Sequence, residues 1–301
     1  MHRLLLLFTF LTIHFLSFSQ YSWDYGAGLG ASNYLGEMGG NAGSAKGFLS
    51  DLKLSQTRFS GNAFLRYKIF QWLAVKGSVS YVRIAGADSL SANYGRIGRN
   101  LSFRNDIIEA ALNAQLFFFD IPDLGGSYRY RNDFRAYMFA GVAEYYSDPK
   151  ANYNGQWIAL RPLKTEGVPY SATGFTFPVG IGFFFTLEKK LRLGWELSWR
   201  KTFSDYLDDV STTYVDPSTF EDPMAIILAN RSADVTKDDP IYAKQYEPGQ
   251  KRGNSKDKDS YITTTINLSY VMRGKSSFYR SHYGSVFGGK KFKKRRIRAK
   301  F

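Results

Sequence analysis

From about residue 21 onward the chain repeats segments of roughly ten residues in which every second side chain is apolar, the period of a strand with two unlike faces. Between Leu191 and Arg200, one face collects Leu191, Leu193, Trp195, Leu197 and Trp199, and the other Arg192, Gly194, Glu196, Ser198 and Arg200. The same split sets Ile262, Thr264, Ile266, Leu268 and Tyr270 against Thr263, Thr265, Asn267 and Ser269, and Ile108, Ala110, Leu112, Ala114 and Leu116 against Glu109, Asn113 and Gln115. Phe175, Phe177, Val179, Ile181, Phe183 and Phe185 likewise oppose Thr176, Pro178, Gly180, Gly182 and Thr186. Eight strands are predicted, near 21–32, 58–70, 72–86, 101–119, 133–147, 173–187, 191–205 and 260–272.

The connections alternate in character. Long polar segments fall at 33–57, 87–100, 148–172 and 206–259, and shorter turns at Phe70-Gln71-Trp72, 120–132 and Glu188-Lys189-Lys190, although the 120–132 turn is no shorter than the second loop. An even strand count with short turns on one side and long loops on the other predicts an all-β, transmembrane, eight-stranded antiparallel up-and-down barrel with long extracellular loops and periplasmic termini. Closure is demanded because hydrocarbon offers no partner to backbone N–H and C=O groups, so an open strand edge cannot persist there. A barrel of about eight strands is just wide enough to be filled by side chains, which argues against a water-filled pore. The polar faces supply the filling, and Asp24, Arg66, Lys76, Glu109, Arg192, Glu196 and Arg200 are expected to point inward as a lumenal charge network, read as packing before catalysis. The competing architecture is a secreted soluble β-sandwich, which needs the same period. An aromatic content of 17%, suited to girdles at a bilayer surface, and the loop asymmetry favour the barrel.

Residues 1–19 carry a basic start at Arg3, an apolar run from Leu4 to Leu16 and a small-x-small Ser17-Phe18-Ser19 before Gln20, the signature of a secretory signal peptide. This divides the chain into a leader at 1–19, a barrel at 20–274 and a basic tail at 275–301. The net charge of +14 suggests an anionic partner, but ten of the cations lie in 275–301 and one, Arg3, in the leader, which leaves 20–274 with +3. The tail cations Lys290, Lys291, Lys293, Lys294, Arg295, Arg296 and Arg298 resemble a nucleic-acid patch. A secreted chain meets little nucleic acid, so a periplasmic acidic protein surface, anionic headgroups or plain solvent are the alternatives.

Absence of cysteine removes disulfides, thiolate zinc sites and a cysteine nucleophile, and the three histidines, His2, His14 and His282, all lie outside 20–274. No histidine base, serine triad or histidine metal site can therefore be built in the barrel. Gly26-Ala27-Gly28-Leu29-Gly30 imitates part of a nucleotide-binding loop but lacks the spacing and the following helix, and reads better as a small lumenal strand face. Asp205, Asp208, Asp209 and Asp216 invite a calcium reading, but no EF-hand spacing accompanies them, and an acidic, solvated strand end is the preferred interpretation. No cofactor, metal or small-molecule substrate is expected.

Several segments carry a resemblance: Asn33-Tyr34-Leu35-Gly36-Glu37-Met38-Gly39-Gly40, Arg99-Asn100-Leu101-Ser102-Phe103, Phe139-Ala140-Gly141 and Pro162-Leu163-Lys164-Thr165-Glu166-Gly167. The most specific is the run from Arg200, Lys201, Thr202 and Phe203 through Ser204, Asp205, Tyr206, Leu207, Asp208 and Asp209 to Tyr214. Over roughly 20–272 the chain resembles the PorG family, outer-membrane barrels of the type IX secretion machinery of Bacteroidota. The resemblance implies a non-enzymatic subunit that sits in outer-membrane lipid and associates with a periplasmic ring made of a lipoprotein and its soluble partner, supporting cargo export and, in some relatives, gliding. It supplies no catalytic residues, and the basic tail is longer than the family pattern requires. Alternatives from other classes are a small pore or transporter, an adhesion-type barrel, and a lipid-modifying or proteolytic membrane enzyme using Glu109 or Glu196.

Overall fold

Segments rich in Val, Ile, Thr and aromatic residues at alternating positions pair into antiparallel strands because each buries one face and offers the other to a different environment. The computed structural model describes residues 23–38, 54–91, 93–121, 133–188, 190–235 and 244–272. The chain divides into two units: Trp23–Val271, which holds the barrel, and residues 1–22 with 272–301, of which Met272 alone is described. The leader, the 122–132 connection and the basic tail lie outside the described residues.

The strands are β1 (Trp23–Leu35), β2 (Arg58–Lys68), β3 (Leu73–Ala87), β4 (Ser102–Ile121), β5 (Asp133–Tyr146), β6 (Pro149–Tyr153), β7 (Gln156–Ala159), β8 (Thr173–Leu187), β9 (Leu191–Thr202) and β10 (Ser260–Met272). Eight of them form a ring in the order β3-β2-β1-β10-β9-β8-β5-β4, which the β3–β4 pairing closes. This is a closed antiparallel eight-stranded barrel without a free edge among its ring strands. The long connections are more structured than polar composition suggests. The 147–172 segment contains the β6–β7 hairpin, tied to β4 through Arg104↔Lys150 and Asn105↔Pro149, and it turns at Asn154-Gly155 with both residues at positive φ. Short helices α1 (Tyr94–Arg99) and α2 (Pro223–Ala229) start at Asn93 and Asp222, whose side chains cap Gly95 N–H and Met224 N–H.

The two faces of the ring strands are unlike in the way the alternation requires. Outward positions such as Leu112, Val142, Phe175, Ile181, Leu193 and Ile266 are exposed apolar residues, the surface that lipid covers. Inward positions carry charged, polar and small residues interleaved with buried aromatic rings. Where β5 pairs β8, Tyr137 lies opposite Gly182 and Phe139 opposite Gly180, so each ring occupies the space a glycine leaves free. A Cβ placed on Gly182 would come within 2.7 Å of the Tyr137 ring. Gly182→Val is therefore expected to displace Tyr137 and lower the unfolding midpoint in detergent, whereas Gly77→Val, with nothing within 4 Å of the added atom, should change it little.

Candidate functional site

The bore is organised by β9. Residues Arg192, Glu196 and Arg200 stand four apart on its inner face, so successive charges are spaced about 13 Å along the strand. Each meets a partner from another strand. Arg192 Nη1 lies 2.9 Å from Asp24 of β1, and the other oxygen of that carboxylate lies 3.2 Å from Arg66 Nη1 on β2 and accepts from Ser269. Glu196 receives Lys76 Nζ of β3 at 2.8 Å and the Tyr137 hydroxyl at 2.9 Å. Arg200 Nε donates to Glu109 of β4 at 2.8 Å, Arg200 Nη1 donates to Thr263, and the Tyr261 hydroxyl donates to the same Glu109 carboxylate. All seven residues expected in the lumen are buried, and the structure brings them together as three ionic tiers rather than one continuous cluster. Apolar rings separate and cover the cations: Arg66 and Arg192 both lie over Phe184, at 4.9 and 4.7 Å, and Lys76 lies over Phe64. On the inner faces of the same strands Asn62, Asn113, Gln115 and Asn267 add buried polar atoms that have no protein partner.

Toward the long-loop end the lining turns apolar. Val82, Ile84, Phe103, Ile107 and Tyr145 form a collar, and into it the chain inserts Leu207 and Val210 from the connection after β9. Leu207 is fully buried. Its backbone is held as firmly as its side chain, with Asn105 Nδ2 donating to Leu207 O at 2.8 Å and Leu207 N–H donating to Asp259 at 2.9 Å. The segment 205–214 is thus a plug seated in the barrel mouth.

Its clamps come from two other loops and from the far end of its own connection. Glu166 accepts the N–H groups of Ser211 and Thr212, both at 2.9 Å, and pairs with Arg252 at 2.8 Å. Arg252 also donates to the backbone oxygens of Asp209 and Ala229. Arg99, at the end of α1, binds Asp88 through Nε and Nη2 and donates through Nη1 to Arg252 O. Asp209, in the left-handed region at φ 68°, receives the Thr165 and Tyr170 hydroxyls. Burial drives the Asp209 carboxyl above its ordinary range despite Arg252 beside it.

One knot in this plug has fixed proton arithmetic. The Tyr34 hydroxyl lies 2.7 Å from Asp208 Oδ2 and 2.5 Å from Asp259 Oδ1, all three groups being buried. A phenol has one proton to donate, so satisfying both contacts requires one of the two acids to be protonated and to donate back. Burial and mutual repulsion hold Asp208 well above the usual carboxylate range, and burial, with Asp205 and Glu37 nearby, pushes Asp259 up to about 8. Glu37 is pushed up to about 7 and Asp205 to about 6, burial being the main cause for both.

This corrects the reading of the aspartates as a solvated strand end. Asp205, Asp208 and Asp209 are buried, and only Asp216 is solvent-exposed, capping a turn at Ser218. Among the described residues no group of three or more Asp, Glu or His side chains is placed to hold a metal ion. The rest of the Arg200–Tyr214 run has separate duties. Lys201 donates to Lys258 O, Thr202 Oγ1 to Ser204 O and Asp259 O, Phe203 packs edge-on against Phe177, and Tyr206 stacks on Tyr170 at 4.5 Å. Four of the separated sequence segments noted above, through Tyr34 and Glu37, Arg99, Thr165 and Glu166, and 205–214, meet at this mouth, while Phe139-Ala140-Gly141 lies within β5. Asp88, Tyr170, Arg252 and Asp259 were not singled out from sequence.

A family model described as the outer membrane protein β-barrel domain matches residues 4–220. Among solved structures the chain is similar to Ail, the attachment invasion locus protein of Yersinia pestis solved in complex with the heparin analogue sucrose octasulfate, at 10% identity over 83% of this chain and 98% of that one, with a TM-score of 0.33. It is similar to Neisserial surface protein A at 10% identity over 83% and 95% of the two chains, with a TM-score of 0.33, and to the outer membrane protein AlkL at 13% over 87% and 94%, with a TM-score of 0.32. No curated protein matches the sequence.

Proposed function

The chain belongs to the outer membrane protein β-barrel domain family and is an outer-membrane barrel, and from that premise we propose that it is a non-enzymatic anchor subunit of a type IX secretion machine. In this role it positions the periplasmic ring, a lipoprotein and its soluble partner, at the membrane through its short turns and its basic tail at 275–301. The observation that supports the reading is the plugged bore: the segment carrying the most specific resemblance is spent on sealing the mouth, and the ionic tiers occupy the lumen beneath it. A barrel closed in this way has its exposed surfaces left to work with, which suits a scaffold better than a conduit.

Deleting 275–301 is expected to lower recovery of the ring proteins with the barrel several-fold, and the remaining contact should weaken as salt rises because the tail acts through charge. Purified protein in planar bilayers should show negligible conductance. Unchanged ring recovery would remove the tail from the reading, and steady ion currents would replace the anchor by a pore. The ordered extracellular cap favours a second reading, a surface-attachment barrel, which predicts that deleting α2 and its flanks abolishes binding to a host or matrix surface while leaving ring recovery intact.

A further inference from the structure

The outer face of β3 and β4 changes character within one row at its extracellular end. Residues two apart on a strand share a face, so Val75, Val79, Tyr81 and Arg83 all point outward. From Leu73 to Tyr81 the outward face climbs about 26 Å along a strand tilted by about 40°, or about 20 Å of membrane depth, close to the full apolar band of such a barrel. Arg83 is the next row up. Its register partner on β4 is Asp106, and Arg104 follows two residues further out opposite Ala85. Arg104 is in turn opposite Lys150 of β6.

These cations are arranged as a strip at headgroup depth. The Arg104 guanidinium lies over Trp157 of β7, 4.0 Å from the ring centroid, it pairs with Asp106 at 3.7 Å, and its buried Nε has no hydrogen-bond partner. Arg161 Nε is likewise without a hydrogen bond, 3.7 Å from Asp148, which also faces Lys150 Nζ at 3.8 Å. Arg83 is the member with a close carboxylate, Asp106, which also receives the Tyr81 hydroxyl. Four cations thus share two acids, which leaves the strip with a net positive charge, while the two unpartnered Nε atoms are themselves buried. On β5 the outward carboxylate Glu144 lies opposite Ala110, in the register row of Val79 and two outward rows below Arg83 and Asp106, and so takes no part in the strip.

We propose that this strip binds the phosphate of an anionic outer-leaflet lipid, a phosphorylated glycolipid whose acyl chains lie along Val79, Ile108 and Tyr146 while Arg104 and Arg83 hold its headgroup. Guanidinium groups match phosphate oxygens with paired N–H donors, and a ring beneath Arg104 fixes its plane before the ligand arrives. Placement directly above the lipid-facing band commits the site to a membrane lipid over a soluble anion. The inference is independent of the anchoring role.

The test uses the full chain in nanodiscs of zwitterionic phosphatidylcholine doped with lipid A, with lipid retention counted by native mass spectrometry. Wild-type protein should retain lipid A, and Arg83→Gln/Arg104→Gln should reduce retention about tenfold or more, as should dephosphorylation of the lipid. Trp157→Leu, which leaves every charge in place, should produce an intermediate loss. Glu144→Gln should not reduce it. Heat-modifiable migration on gels shows that each variant remains a folded barrel. Equal retention by the double variant, equal retention of dephosphorylated lipid A, or displacement by millimolar inorganic phosphate would each overturn the proposal.

Discussion

Replacing Asp24 with alanine is expected to lower the unfolding free energy of the barrel by about 3–5 kcal/mol, read from denaturant midpoints in a fixed detergent. The carboxylate is buried and serves two guanidinium groups at once, Arg66 at 3.2 Å and Arg192 at 2.9 Å, besides accepting from Ser269. Its removal leaves two buried cations without a contacting carboxylate, and that loss of direct pairing accounts for most of the effect. Asp24→Asn keeps the shape and should cost a comparable amount. Adding Arg192→Met to Asp24→Ala should recover part of the loss, because one stranded cation is removed with it. A change below about 1 kcal/mol in Asp24→Ala would mean that water enters this tier and screens it.

The second large effect concerns pH. Folding raises the carboxyl groups of Asp205, Glu37 and Asp259 to about 6, 7 and 8, and holds Asp208 higher than ordinary, so the seated plug binds protons that the released loop gives up. Groups raised on folding contribute stability that is complete below their ordinary values, near 4, and is lost as pH rises through their folded values. The plug should therefore be tightest at about pH 4 and should loosen progressively between about pH 4 and pH 8. The Arg99 charge acts on Asp208 and Glu37 and moderates this repulsion without removing it. Hydrogen exchange at the Leu207 and Val210 amides, corrected for the intrinsic pH dependence, is expected to accelerate at least tenfold over that range, equivalent to about 1.4 kcal/mol of opening. Asp259→Asn should flatten the profile: its amide oxygen can still accept Leu207 N–H, and its NH2 can donate to Tyr34, whose own proton then goes to Asp208. A pH-independent wild-type rate would count against the shared proton.

The barrel was legible because lipid on one side and a narrow bore on the other impose a period of two on every ring strand. Predicted and observed strands agree within three residues at either end, the largest differences being β1, which runs three residues further to Leu35, and β9, which ends three residues earlier at Thr202 where the motif turns inward to become the plug. Charges at inward positions of otherwise apolar alternation could likewise be read one strand at a time. The pairing could not, since Lys76 meets Glu196 across 120 residues and Arg200 meets Glu109 across 91. The mouth was read least well. Asp205, Asp208 and Asp209 look like a solvated acidic run in sequence, and what buries them comes from distant loops, with Asp259 lying 225 residues from Tyr34 and Arg252 lying 86 from Glu166. The β6–β7 hairpin had a local signal, Asn154-Gly155, which two positive φ values explain, but it was absorbed into a polar loop.

The position of β9 constrains how such a molecule can be made. It supplies one partner to every ion pair that spans the bore, meeting β1, β3 and β4, yet in chain order it is the penultimate strand. Until it arrives, Lys76 and Glu109 belong to a curved ribbon and lack the partners that pair them in the closed barrel, and hydrocarbon cannot wet that side. Biogenesis must therefore keep the growing ribbon hydrated, or sheltered by another protein, until the last hairpin swings into place and transfer into lipid becomes a single concerted event.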